Sequence, residues 1–168
     1  QRVAALVKND INLLAYHLPL DAHPVLGNNA QLALRMGWHL KERFGENGLI
    51  STAVLASAID GKGLARQLKR GLGHSPLLVG DLKRPVRRIA WCTGAAQDML
   101  DQAIAAGCDA FISGEISERT THLAREAGVI YVAAGHHATE RFGVQALGRA
   151  ASEALGIDWV YLDDHNPV

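Results

Sequence analysis

Two histidines and a glutamate stand just past a run of small apolar residues. In VAAGHHATERFG (132–143), His136 and His137 are followed by Glu140. Neutral imidazole offers a nitrogen lone pair near neutral pH, and a carboxylate offsets a cation's charge. The trio is therefore donor chemistry for zinc, iron or manganese. The plain alternative is a polar loop opening a helix, with the His-x-x-x-Glu pair facing solvent. A second segment favours the metal site. NDINLLAYHLPLD (9–21) and AGVIYVAAGHHATE (127–140) align as turn, apolar strand, then His-x-x-x-acid. His17 precedes Asp21 as His136 precedes Glu140. In open α/β sheets, ligands bind beyond the carboxyl ends of strands, and a duplicated unit brings two such ends to one cleft. The candidate metal ligands are thus Asp21, His136 and Glu140. A carboxylate has two oxygens, so Glu140 can bridge two ions. A pair of metals ~3.5–4 Å apart polarises a substrate and activates water.

Rival chemistries are weaker. CTGAAQ (92–97) has one glycine, not the Gly-x-Gly-x-x-Gly of a dinucleotide site. Cys92 sits at a strand end where a Cys–His nucleophile could form, but buried strand cysteines are usually inert. His23, His39, His74, His122 and His165 lack metal-like neighbours and read as surface or capping residues. Glu115, in SGEISE, reads as a carboxylate at a helix N-terminus, with a role in the pocket as the alternative. Arg141, Arg119 and Lys83 are the candidates to meet a phosphate. The basic residues of DLKRPVRR (81–88) otherwise read as a solvated turn before a strand.

The elements that must position these groups follow from periodicity and punctuation. Residues 2–8 read as the end of a helix, 11–18 as a strand and 19–29 as a loop. Residues 29–37 form a helix with Asn28 or Asn29 as N-cap and Gly37 past its end. Within the less regular stretch 38–85, a helix over 61–73 and a strand over 75–80 stand out. From residue 86 a rhythm sets in: strand 86–94, helix 97–107, strand 109–114, helix 117–128 capped by Ser117, strand 129–135, helix 138–156 and strand 157–163. In the last helix, Val144, Leu147, Ala151 and Leu155 are the expected inward face. Such alternation predicts an α/β fold, helices packed on a sheet with parallel neighbours.

Bulk composition narrows the function classes. The 168 residues carry 17 basic and 17 acidic side chains, so no bulk charge draws a polyanion, and nucleic acid is not an expected partner. No apolar run reaches the ~18 residues of a membrane span. Two cysteines, Cys92 and Cys108, imply no disulfide framework, and a cytoplasmic location is expected. Gln1 opens within a helical pattern, which reads as the middle of a longer chain.

YHLPLDAHPVLGNNAQLA (16–33), AWCTGAAQ (90–97), FISGEISE (111–118) and AAGHHATERFGVQAL (133–147) together resemble the bacterial GTP cyclohydrolase 1 type 2 homologues, the NIF-three-like proteins. The resemblance runs in order along the whole chain. It implies two related α/β lobes facing a central metal pair, assembled into a ring-like homohexamer. Residues 1–85 would be a partial first lobe with a connecting segment, and 86–168 a second, βαβ-type lobe. Asp21 corresponds to a ligand of one metal, His136 to a ligand of the other, and Glu140 to the bridge. His17 and His137 lie beside them, as supporting or substrate-contacting groups. The family's earlier His-His-Gly-x-Phe-Trp motif, which supplies two further histidine ligands, does not occur here, so the N-terminal part of the first lobe is expected to be absent. The loss of that layer should expose an apolar face. The implied activity is that of a hydrolase with two divalent metal ions (Zn, Fe or Mn). Activated water opens the guanine ring of GTP and releases formate, or hydrolyses a related nucleotide or other small molecule, with His137 as the proton donor. A non-catalytic metal-binding or scaffold ring would use the same ligands.

Overall fold

Three short apolar strands, each followed by a glycine-marked turn, form the parallel centre of a sheet in the computed structural model, which describes residues 1–164 and 166. They are β4 (Val86–Trp91), β5 (Ala110–Ser113) and β6 (Ile130–Ala133). Their residues are almost all buried, as expected of strands covered on both faces. β1 (Glu42–Phe44) and β2 (Ile50–Ile59) extend the sheet on one side, and β3 (Leu77–Val79) closes the other. The order is β1-β2-β4-β5-β6-β3. β4, β5 and β6 run parallel, whereas β1–β2, β2–β4 and β3–β6 pair antiparallel. Strands from before and after residue 86 thus share one sheet.

Seven helices accompany it among the described residues. They are α1 (Arg2–Lys8), α2 (Leu18–Asp21), α3 (Asn28–Met36), α4 (Gly61–Leu72), α5 (Leu100–Ala105), α6 (Glu118–Ala127) and α7 (His136–Leu155). One face of the sheet packs Leu32 and Met36 of α3, Leu64, Leu68 and Leu72 of α4, and Phe142 of α7 against Ile89, Trp91, Ile112 and Val132. The other face packs Leu100, Ala103 and Ala124 of α5 and α6 against Ile50, Ala90, Phe111 and Tyr131. Each fully buried leucine of α4 contributes roughly 1.5–3 kcal/mol. The α/β architecture expected from the sequence is the one observed.

Several local expectations need correcting. Residues 11–17 form no strand, and 157–163 form none either. Neither segment pairs with a strand of the sheet, so its apolar pattern is not completed by a hydrogen-bonded ladder. Ile11, Leu13, Leu14, Val160 and Leu162 are consequently exposed. The N-cap of α3 is Gly27, not Asn28 or Asn29, because both asparagine side chains are engaged in tertiary bonds. α7 begins at His136, and its buried face is Thr139, Phe142, Gly143 and Ala146. Val144 and Leu155, expected to face inward, are exposed. β1 and β2 form where the sequence offered no clear periodicity. The expectation for His165 falls outside the described residues.

Candidate metal and substrate site

The parallel strands end together at a small glycine ladder. Gly135 N–H donates to the Gly114 carbonyl (2.9 Å), and Gly114 N–H donates to the Gly94 carbonyl (2.7 Å). This draws the three strand exits close. A Cβ on Gly114 would meet the Gly94 carbonyl oxygen at 2.6 Å and the His136 Cα at 2.7 Å, so only glycine fits there. Ser113 Oγ donates to the Gly94 carbonyl (2.9 Å) and accepts from Ala96 N–H (3.1 Å), which fixes the β4 exit loop.

α7 starts from this ladder, so His136 sits in its first turn and Glu140 one turn on. The two meet, with His136 Nε2 3.0 Å from Glu140 Oε2. The other ring nitrogen, Nδ1, lies 2.6 Å from Glu115 Oε1. Glu115, in the β5 exit loop, is thus a partner of the site, the alternative role open to it in the sequence. Thr139 Oγ1, buried between the two, donates to the Gly135 carbonyl (2.9 Å) and accepts from Gly94 N–H (3.2 Å).

Asp21 reaches the same place from α2. It is buried, and its Oδ1 accepts from Asn28 Nδ2 (2.6 Å). Asn28 Oδ1 in turn accepts from Gly143 N–H of α7 (2.7 Å). Asn29 accepts from Thr93 N–H (3.0 Å) and donates to the Leu49 carbonyl (3.0 Å). The Asn28–Asn29 pair therefore stitches α2, α7 and the β4 exit together. His17 caps α2 as His136 opens α7, so both His-x-x-x-acid segments enter a helix beside one cavity.

That cavity, of about 250 Å³, is lined by His17, Asp21, Cys92, Thr93, His136 and Glu140, among others, and by no lysine or arginine among the described residues. A larger cavity of about 520 Å³ lies on the other side of His136 and Glu140, lined also by Glu115, His137, Arg141 and Tyr161. His137 thus faces the second cavity and not Asp21. Its Nε2 lies 3.5 Å from Asp163 Oδ1. Of the three cations considered for phosphate, only Arg141 lines either cavity. Arg119 pairs with Asp98 (3.2 Å) on the surface, and Lys83 is exposed in the turn before β4.

The electrostatics fit a cationic guest. Burial and the neighbouring charge of Asp21 push the Glu140 carboxyl up, against the opposing pull of His136 and His17. Burial pulls His136 down, but the bond to Glu115 and the charge and bond of Glu140 outweigh it and raise it overall. Two carboxylates and two imidazoles around a cavity with no cationic side chain are the donor types a divalent metal takes. Among the described residues, no three His, Cys, Asp or Glu side chains converge closely enough to hold a metal by themselves.

The remaining candidates fall away from the chemistry. Cys92 borders the smaller cavity, but burial pushes its thiol up to about 12, so it holds no thiolate at neutral pH. Cys108 is buried and raised as well. His23 Nδ1 accepts from Leu26 N–H (2.9 Å), a capping role as expected. His39 and His122 are exposed. His74 is half-buried and donates from Nε2 to the Ala134 carbonyl (2.8 Å), holding the exit of β6.

Comparison with known proteins agrees along the chain. A family model described as Duf34/NIF3 (NGG1p interacting factor 3) matches residues 1–167. A protein of Neisseria meningitidis serogroup B named GTP cyclohydrolase 1 type 2 homolog is 47% identical over 167 residues, 99% of this chain and 67% of its own length. A Pseudomonas aeruginosa protein of the same name is 49% identical over 170 residues, again 99% and 67%. Among solved structures, protein ybgI, described as of unknown function, superposes with a TM-score of 0.94 at 46% identity, covering 99% of this chain and 67% of that one. TTHA1606 from Thermus thermophilus superposes with a TM-score of 0.83 at 30% identity, covering 99% and 66%. The chain spans about two-thirds of the length of these relatives. No helix among the described residues is long and apolar enough to cross a membrane.

Proposed function

Since the chain belongs to the Duf34/NIF3 family, we propose that it contributes to a dinuclear metal-dependent hydrolase site acting on a nucleotide, with opening of the guanine ring of GTP as the first reaction to test. One observation carries this reading: Asp21 from α2 and the His136–Glu140 pair from α7 border one cavity lined by no lysine or arginine among the described residues. The name borne by the relatives supports the choice of GTP.

Asp21, His136 and Glu140 would hold two divalent ions (Zn, Fe or Mn), with Glu140 between them. The resemblance places the other two histidine ligands in the part of the relatives that this chain does not span. When bound, such ions supply Lewis acidity and lower the pKa of water. The protein's own groups do the rest. Glu115 holds His136 Nδ1 and so directs Nε2 towards Glu140. Asn28 holds Asp21 and ties it to α7. His137, on the wall of the larger cavity, would give a proton to a leaving nitrogen. A ring-like homohexamer in the cytoplasm is the assembly and setting this reading expects.

The test is elemental analysis of the full-length protein followed by a formate assay with GTP. About two metals per chain with formate release supports the hydrolase. Full metal content without turnover on GTP or other nucleotides replaces it with a metal-binding scaffold.

A further inference from the structure

Beyond Gly156 the chain doubles back along α7. The Ile157 carbonyl accepts from Ser152 Oγ (2.7 Å). The Trp159 ring lies against Gly148, where a Cβ would meet Trp159 Cε3 at 2.7 Å, and Arg149 sits over the ring at 5.8 Å. Asp163 closes the path, with Arg141 Nη1 donating to Oδ2 (3.2 Å) and Tyr161 Oη donating to Oδ1 (3.0 Å). The contacts step from residue 152 to 148, 141 and 137, about one, two and one helical turns apart. The strap has no regular structure. Its Tyr161, Leu162 and Asp164 form the outer wall of the 520 Å³ cavity, opposite His136 and Glu140.

The pair that Asp163 engages is left partly unsatisfied. Arg141 Nε and His137 Nε2 are both buried without a hydrogen-bond partner among the described residues. Asp163 stands within ion-pair reach of both side chains but is itself about half exposed. A buried guanidinium nitrogen and an imidazole nitrogen without acceptors want an anion with more oxygens than one carboxylate offers. Of the further acids on this cavity, Glu115 and Glu140 are already engaged with His136, and Asp164 is exposed on the strap.

We infer that Arg141 and His137 form a phosphoryl-binding subsite, which Asp163 of the C-terminal strap occupies as an internal competitor until a phosphorylated substrate displaces it. A phosphate brings three acceptor oxygens to the Arg141 fork and the His137 nitrogen. Its arrival lifts the strap from the wall of the cavity. The subsite rests on the hydrolase reading only in taking its ligand to be a substrate.

The test is calorimetric titration of the chelator-treated full-length protein with inorganic phosphate, and separately with GTP. Binding is read without metal or turnover, so failure of the hydrolase reading leaves the result intact. Asp163→Asn removes the competing charge and should tighten phosphate about threefold, the scale of an exposed ion pair. Arg141→Gln should weaken it about tenfold, the scale of a lost charged hydrogen bond. Arg141 also donates to the Leu72 carbonyl (3.4 Å), so Arg141→Lys, which keeps the charge but loses the fork, serves as the second variant and should bind with intermediate strength. Unchanged affinity in Asp163→Asn overturns the competition. Wild-type affinity in folded Arg141→Gln overturns the subsite. GTP binding tighter than phosphate, and lost in Arg141→Gln, would support a nucleotide as the source of the phosphoryl group. GTP binding that ignores the substitution counts against it.

Discussion

Gly94 lies directly under the Glu140 carboxylate: a Cβ at position 94 would fall well inside van der Waals contact of Glu140 Oε1 and 3.1 Å from His136 Nε2. Its φ of +71° is also one that side chains rarely adopt. Gly94→Ala therefore adds backbone strain to a collision with a key acid. We expect a loss of about 1–3 kcal/mol in urea unfolding, with metal content reduced in parallel. An alanine variant with unchanged metal content would mean that the Glu140 side chain swings clear and is not held as described.

Asn28 joins Asp21 to Gly143 across α2, α3 and α7. Asn28→Ala leaves a buried backbone N–H without an acceptor and a buried carboxylate without its donor. The expected loss is about 1–3 kcal/mol in chemical denaturation. Asn28→Asp should be worse, because it sets a second carboxylate 2.6 Å or so from Asp21, at the position of the present donor. Equal stability of the aspartate and wild-type proteins would show that Asp21 is turned away from position 28.

These bonds mark the limit of what the sequence reveals. β4 to β6 and α5 to α7 were legible because apolar runs alternate with helices closed by Gly107 and Gly128 and capped by Ser117. His136, Glu140 and Asp21 were legible as types at a spacing, and the structure sets them around one cavity. Glu115 was legible only as an alternative to a helix N-terminal carboxylate, since it meets His136 from 21 residues away with no local pattern. The roles of Asn28 and Asn29 were hidden for the same reason. Their bonds run to Gly143 and Thr93, and a local reading makes them caps. β2, rich in alanine and serine with an exposed second half, lacks the clear period that marks a strand. Residues 11–17 and 157–163 fail the other way. Their apolar pattern is right for strands, but pairing depends on an edge that no local sequence reports.

Position within the fold also separates histidine from histidine. His122 lies 3.9 Å from Glu118 on the exposed side of α6. Glu140→Ala in the full-length protein should remove both metals by elemental analysis, whereas His122→Ala should leave the content unchanged. Full occupancy in Glu140→Ala would remove it from the bridging position, and a large loss in His122→Ala would move the site.

Cys92 gives a kinetic check. It is buried, and its thiol is pushed up to about 12. Alkylation of the folded protein at pH 8 should therefore be slow, by at least about a hundredfold against the unfolded chain. Mass spectrometry of peptides reads Cys92 and Cys108 separately. Fast labelling of Cys92 in the native state would revive a nucleophile at the β4 exit.

The bond between Glu115 and His136 has a sign that titration can read. Burial alone would lower the imidazole, yet the carboxylates on its two nitrogens raise it above its ordinary 6.5. A raised histidine stabilises the fold fully below the unfolded pKa, and that stability is lost as pH rises through the folded value. Glu115→Gln keeps the shape and removes one of the two charges. In the chelator-treated protein, the His136 ring resonances should titrate at lower pH in this variant than in the wild type. The pH at which that increment of stability disappears should fall with them, and the difference between the two proteins isolates His136 from Glu140. An unchanged His136 titration would mean that the 2.6 Å contact carries no charge to the ring, and Glu115 would then no longer direct Nε2 towards Glu140.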